Sequence, residues 1–535
     1  MDQHRSCECI VPLSAARGRS YDVIVVGAGH NGLVAALVAA RAGLSVLVVE
    51  RAAVIGGATR TEFPFEKAPE LPHSTGAYLL GLMPPELLER LEIEIPVLRR
   101  DPHYFLPTTG ERYLLFGSDR VELERQFVAF FSRADFQAHQ RLERELSALR
   151  DDIAPTWLEE PLSIEDTAER YVRAELRQVF VELCRGSVGK YLERFGFESD
   201  LVKAMYAVTD GFSGVYGSYD TPGTGMNFLI HNMCRLPGSD GTWMIVKGGM
   251  GTVPRLFADA LGARGGRIVV GCPVQSIAIE QGSARGVVLE DGSEIRARAV
   301  IVNADPFRMQ AMIGRERLPE AYNARLDVLQ KPGSTLKLNL AFERLPTFRC
   351  LPENRGQFGP TIHLLPDEST VLGDLVRDFE AVQRGELPEF PSIEWYFHSP
   401  IDRSLSDRAG HISAAFFVQW VPYEIKGKSW DNEAESYARH LLSIADRFAP
   451  DTSSLVADWQ VLHPQRIEEH FGISYGHIHH IDNGFGFADR LPHATPIGHL
   501  YSASAGTHPA GSVIGCAGYI AARRCLRELG VATED

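Results

Sequence analysis

The stretch Tyr21-Asp-Val-Ile-Val-Val-Gly-Ala-Gly-His-Asn-Gly-Leu33 decides the fold. Its first six residues form a β-branched run that ends in glycines, the pattern of a strand buried on both faces of a parallel sheet. An Ala/Leu-rich helix is predicted from Asn31 to Ala42, where Gly43 ends it, and Ser45 to Glu50 reads as a second buried strand. Together they make a βαβ unit. Gly27-Ala-Gly29-His-Asn-Gly32 is then a G-x-G-x-x-G motif in its proper place between strand and helix. Gly27 serves the tight turn, Gly29 the close approach of backbone to a pyrophosphate, and Gly32 the packing of helix on strand. The phosphates would face the helix N-terminus, where free N–H groups and the dipole favour anions.

Glu50 closes the second strand where an acid can accept hydrogen bonds from the ribose hydroxyls of an adenosine. A carboxylate there repels a 2′-phosphate, so NADP is disfavoured. Just beyond stands Val54-Ile-Gly56-Gly57-Ala58, whose glycine pair lets the chain pass close to the pyrophosphate a second time. That pair is typical of flavoproteins and points to FAD. Ala28, Asn31, Arg51 and Ala58 complete the expected cofactor-binding set around these glycines. The only other candidate motif, Gly248-Gly249-Met-Gly251-Thr-Val-Pro254, has proline where the third glycine should be, which argues against a separate nicotinamide domain. No C-x-x-C lies near the first unit, which excludes the chemistry of a disulfide reductase.

Working outward, 535 residues with 44% hydrophobic composition can bury a large core and suggest two or more domains. Acidic residues outnumber basic ones 69 to 54, a formal net charge of -15 without a basic run, so nucleic acid is not expected as a partner. Eight irregularly spaced cysteines fit free thiols in a reducing cytoplasm, with Cys7 and Cys9 in a mobile tail. Residues 1–20 carry scattered charge and no apolar core, and are expected to be a disordered leader. The most apolar segment, Leu33 to Val49, is already explained as helix and strand, so no membrane span is predicted.

After Pro64 the pattern changes to Pro-punctuated segments and charged amphipathic helices, such as Arg120 to Asp152. Strand and helix alternation resumes at Gly248, with Glu290-Asp291-Gly292-Ser293 as a hairpin turn. The expected fold is α/β: a Rossmann-like FAD-binding domain assembled from residues 21–63, 244–304 and 461–535, plus a mixed α+β substrate-binding or cap domain from 64–243 and 305–460.

The chain resembles the phytoene desaturase and phytoene dehydrogenase-like family of FAD-dependent oxidoreductases, within the amine-oxidase-type flavoprotein superfamily. The resemblance runs from Tyr21 to about Leu526. Four segments support it: Val25 to Leu33; Asp220-Thr-Pro-Gly-Thr-Gly225; Lys247 to Gly251 with Asn303-Ala-Asp-Pro306; and Gly506-Thr-His-Pro-Ala-Gly511 with Gly515. It implies that the backbone around Val274 contacts the adenine, and that Gly506 and Ser512-Val513-Ile514 lie at the flavin ring. A helix N-terminus after Gly511 would then stabilise negative charge on the ring. Many relatives place an Asp in this terminal turn, whereas this chain reads Ser504-Ala505-Gly506.

Desaturating or oxidising a carbon skeleton needs a C–H bond aligned with the flavin and a base for the accompanying proton. His480, in Gly476-His477-Ile-His479-His480-Ile-Asp482, and His508 are the candidates. The histidine cluster has an ordinary surface or hydrogen-bonding reading too, and no metal is expected there. His508 has the alternative role of shaping its turn. Tyr216, Tyr219 and Trp243 are candidates for the substrate cavity or for core packing.

The leading reading is an oxidoreductase acting on an apolar or mixed organic small molecule, reoxidised by oxygen or a quinone. A redox-neutral isomerase or saturase, and a non-enzymatic flavoprotein, are the alternatives. A cytoplasmic location is expected; docking at a membrane surface would depend on an apolar patch instead of basic residues. Oligomeric state is not legible.

Overall fold

A computed structural model describes residues 8–532. Its first sheet is built around the quoted stretch. Strand Ser20–Val26 pairs in parallel with Val46–Val49 on one side and with Glu294–Val302 on the other. Arg267–Val269 extends the sheet beyond Val46–Val49. Leu500–Ser502 joins in parallel beside Glu294–Val302, so a strand near the C-terminus completes the sheet begun near the N-terminus. The hairpin of Val274–Glu280 and Ser283–Leu289 adds an antiparallel wing. Its turn to the next strand is held by Asp291, whose carboxylate accepts from the Ser293 N–H at 2.9 Å.

The helix after the glycine turn runs from His30 to Arg41 and is buried along nearly its whole length. It packs against Thr252–Ala263 and Cys516–Glu528, which explains why it is apolar all round. At the second of these crossings a Cβ on Gly518 would stand 2.0 Å from the Asn31 carbonyl.

The second sheet orders its strands Val456–Leu462, Thr335–Phe342, Ile412–Gln419, Ser392–Phe397, Thr361–Leu364, Tyr104–Pro107 and Tyr113–Phe116. All its pairings are antiparallel except that of Thr361–Leu364 with Tyr104–Pro107. Because side chains alternate across a strand, each face can be read from the sequence. Leu336, Leu338, Leu340, Phe342, Ile393, Trp395, Phe397, Phe416 and Val418 form one face and share an apolar core with helix Trp430–Phe448. The opposite face carries Thr335, Lys337, Asn339, Ser392, Glu394, Tyr396 and Phe417, and it is buried as well. A buried sheet face lined with polar groups requires partners for them or a ligand.

Three expectations need correction. Residues 8–20 are no disordered leader: Ile10 bridges to Ile268, a short 3₁₀ turn spans Leu13–Ala15, and Ala16 is fully buried. The apolar residues of this stretch cover the sheet edge beside Arg267–Val269. The helix expected after Gly511 starts four residues later, at Cys516, with Gly515 as its N-cap at φ +85°. Free thiols are found at Cys184, Cys234, Cys272, Cys350, Cys516 and Cys525, but Cys9 is disulfide-bonded and buried; Cys7 lies outside the described residues. Among the described residues no helix is long and apolar enough to cross a membrane.

Candidate functional site

The glycine turn is held from behind. Gly27 N–H donates to Val49 O at 2.8 Å, and Gly56 N–H donates to Ala28 O at 2.8 Å, which lays the second glycine pair across the first. Gly56 and Gly57 take φ +113° and +58°, and a Cβ on Gly56 would meet Thr59 O at 2.7 Å. Gly32 has the strictest requirement, since its Cβ would stand 2.1 Å from Gly27 O. Asn303, at the end of the neighbouring strand, presses an amide on this turn: in the orientation that satisfies both ends, its oxygen accepts from Gly29 N–H and its nitrogen donates to Ala503 O, both at 3.2 Å. The Glu50 carboxylate accepts from Ala28 N–H at 2.7 Å and from Ala52 N–H at 2.8 Å, so the backbone fixes its orientation.

From this turn a cavity of about 940 Å³ runs to the polar face of the second sheet. Of the residues expected from the sequence, Gly27, Gly29, Asn31, Glu50, Arg51, Gly56, Gly57, Ala58, Val274, His480, Ser512 and Val513 line it. Ala28, Gly32, Gly506 and Ile514 are not among its lining. The floor opposite the turn is a cross-strand row in register: Leu462, Lys337, Phe417 and Glu394. All four border the cavity.

Lys337 is the residue that the sequence reading missed. Its Nζ donates to the backbone carbonyls of Ser74 and, at 2.7 Å, of Gly76, and it lies 4.5 Å from the centre of the Tyr78 ring. Burial drives its pKa well below the usual lysine range, against the pull of Glu62. With two N–H bonds committed to carbonyls, the third position of the nitrogen remains for a group in the cavity. The signal was present in Thr335-Leu-Lys-Leu-Asn-Leu-Ala-Phe342, where polar residues alternate with large apolar ones. A lysine at such a position of a central strand points to a cavity rather than to solvent.

The histidines separate. His480 adopts φ +61°, a conformation that non-glycine residues rarely take, and its Nδ1 is 2.9 Å from Ser504 Oγ. Burial lowers its pKa to about 4. His30, also on the cavity wall, is lowered to about 4 by burial and then by His480. His479 and His231 border the cavity with ring centres 6.2 Å apart. His477 instead faces Asp482 at 3.6 Å. His508 is not brought to the cavity: its Nε2 is 3.0 Å from the Thr156 carbonyl and it is 1% exposed. The turn-shaping reading therefore fits it better than catalysis. Trp243 lines the cavity, whereas Tyr216 packs on Phe379 and neither it nor Tyr219 reaches the lining. Among the described residues no group of three or more His, Cys, Asp or Glu is arranged to hold a metal ion.

Arg490 ties the histidine loop to the terminal segment. Its guanidinium donates to the carbonyls of Ile481, Asp482, Phe485, Ala505 and Thr507 at 2.9 to 3.2 Å. Asp305 completes the frame: it caps helix Pro306–Ile313 through the N–H groups of Phe307 and Arg308, and its other oxygen accepts from Ser474 N–H at 3.0 Å.

The sequence matches the family model described as flavin containing amine oxidoreductase over residues 32–385. It is 33% identical to pyridine nucleotide-disulfide oxidoreductase domain-containing protein 2 of Rattus norvegicus, over 95% of this chain and 94% of that one. It is 27% identical to the zeta-carotene-forming phytoene desaturase of Myxococcus xanthus, over 77% and 74%. Among solved structures, an oxidoreductase from Methanosarcina mazei superposes with a TM-score of 0.60 at 18% identity, over 95% of this chain and all of that one.

Proposed function

The chain belongs to the flavin containing amine oxidoreductase family, whose cofactor is FAD, and from that premise we propose that it desaturates or oxidises an apolar or mixed organic small molecule. The residues present fit FAD: the glycine cradle would be filled by any Cβ, the Glu50 carboxylate is preset for a ribose, and the cavity continues past Ser512 and Val513. Gly27, Gly29, Gly56 and Gly57 would hold the pyrophosphate, Glu50 and Val274 the adenosine end, and Ser512 and Val513 the ring. The bound flavin supplies a hydride acceptor at N5.

The single observation that supports the reading is the continuity of one cavity from the glycine turn to the Lys337 row. In this reading Lys337, disposed by burial to lose its proton, accepts or donates a proton at Nζ beside the reacting carbon. Tyr78, Phe417 and Trp243 wall that space and exclude water. His480 is held by Ser504 on the opposite side and positions the ring wall. Oxygen or a quinone is the final acceptor, in a cytoplasmic protein. The phytoene desaturase relative supports an apolar substrate.

Anaerobic titration of the purified holoenzyme with alkenes, terpenoids and long-chain alcohols tests this. Bleaching of the flavin by at least one of them, reversed by air or a soluble quinone, is the expected result. A flavin that none of them reduces overturns it.

A further inference from the structure

At the far end of the polar row stands Glu394. Successive strands are about 4.8 Å apart, so Glu394 lies roughly 10 Å from Lys337, with Phe417 between them. Glu394 is 3% exposed and borders the cavity. One of its oxygens accepts from the Tyr396 hydroxyl, and the other, Oε1, has no hydrogen-bond partner. A buried carboxyl oxygen left without a partner is costly, and one on a cavity wall calls for a ligand group.

Its surroundings narrow the class of that group. Tyr78 and Tyr396 pack with ring centres 4.4 Å apart and planes tilted by 48°, and Phe417 and Trp243 continue the apolar lining. Behind them Arg100 is 2% exposed, with Nε 2.9 Å from Trp243 O and Nη1 2.9 Å from Thr361 Oγ1. No carboxylate among the described residues forms an ion pair with it, yet its charge acts on Glu394, Tyr396 and Tyr78. An ammonium placed at Glu394 would meet this permanent positive charge. A carboxylate would be opposed by Asp210, whose charge acts on the same spot. Burial pushes Glu394 up to about 8, so near neutral pH it presents an O–H that wants an acceptor.

We propose that Glu394 is the specificity-determining anchor for an uncharged oxygen-bearing terminus, a hydroxyl or carbonyl, on an otherwise apolar substrate whose reacting carbon lies over Lys337. This rests on the proposed function above for the position of the reacting carbon, but the anchor is read by binding alone. The substrate class so defined is neither a plain hydrocarbon nor an amine.

The test uses the FAD holoenzyme and five probes of one chain length: decane, decan-1-ol, decan-2-one, decylamine and decanoate. Binding is followed by the perturbation of the bound flavin's visible spectrum, without turnover. Decan-1-ol and decan-2-one are expected to bind about tenfold more tightly than the other three. Glu394→Leu should abolish that preference while decane binding holds, and Glu394→Gln, which keeps an N–H donor, should retain it within about threefold. Flavin content reports that each variant is folded. Tightest binding of decylamine or decanoate, no difference among the five, or an unchanged preference in Glu394→Leu overturns the proposal. Failure here with a flavin that is still bleached by a substrate would sink the anchor and spare the function. The reverse pattern would sink the function and spare the anchor.

Discussion

The glycine turn at residues 27–32 and the polar row Leu462-Lys337-Phe417-Glu394 face one another across the same cavity, yet they are built in opposite ways. The turn is local: six residues from the end of a strand into the first turn of its helix, held almost wholly by backbone contacts that side chains would obstruct. The row draws on four strands from Thr335 to Leu462, and its polar groups are tolerated only because the sheet register lines them up on one face. A local turn is specified by residue type at fixed spacing. A cross-strand row is specified by pairing, which no short window contains.

Substitutions on each side sharpen that contrast. The largest effect belongs to Gly32→Val, whose side chain would begin 2.1 Å from the Gly27 carbonyl. Backbone cannot yield there, so purification should return protein that lacks FAD or is unfolded, as read by absorbance and circular dichroism. Recovery of a stable yellow protein would break the case for an obligatory turn.

Next comes Lys337→Met, which removes the nitrogen but keeps the apolar stem. FAD content should remain near that of the wild type, while the anaerobic rate of flavin reduction by a competent substrate falls by about 10³-fold, within the range for loss of a positioned acid or base. A variant that reduces its flavin at the normal rate would return the row to a purely structural role.

Acid should act on the turn side. His30 and His480 have folded pKa values of about 4, below the ordinary 6.5, so the unfolded chain takes up protons first as the pH falls. No penalty exists above pH 6.5, and stability is lost progressively between about 6.5 and 4. Both imidazoles contribute to the loss in that window. Thermal denaturation at pH 7.0, 6.0 and 5.0 should show a falling midpoint with early flavin release, and a flat profile would contradict the burial of these rings.

The smallest effect is that of Glu50→Gln. The amide keeps one acceptor for Ala28 or Ala52 and turns an N–H toward the other, so FAD affinity should drop about tenfold with little change in fold. Fluorescence titration of the apoprotein measures it.

The same contrast explains what could be read in advance. Gly27, Gly29, Gly32, Glu50 and the pair Gly56-Gly57 were legible because each answers a steric or charge requirement within about thirty residues of chain. Asn303 was noticed only as part of a familiar segment; that its amide caps Gly29 is a property of two adjacent parallel strands. His508 misled, because nearness in sequence to the terminal turn said nothing of which way its ring points, and it points to Thr156. His480 and His479 reach the cavity because the five carbonyls bound by Arg490 fasten their loop to the terminal segment, a contact that no periodicity announces.

By itself, then, the sequence determined that this protein has a glycine-rich βαβ unit of an FAD-binding fold, with an acid at the end of its second strand and a second glycine pair just beyond. Those features are requirements of the backbone, and the backbone is local. Only the tertiary structure decided that Leu500–Ser502 pairs with Glu294–Val302, one strand away from Ser20–Val26, and that Lys337 and Glu394 share one buried face. Both outcomes rest on strand pairing between residues far apart in the chain, where hydrophobic burial and register, rather than the identity of any single residue, select the partner.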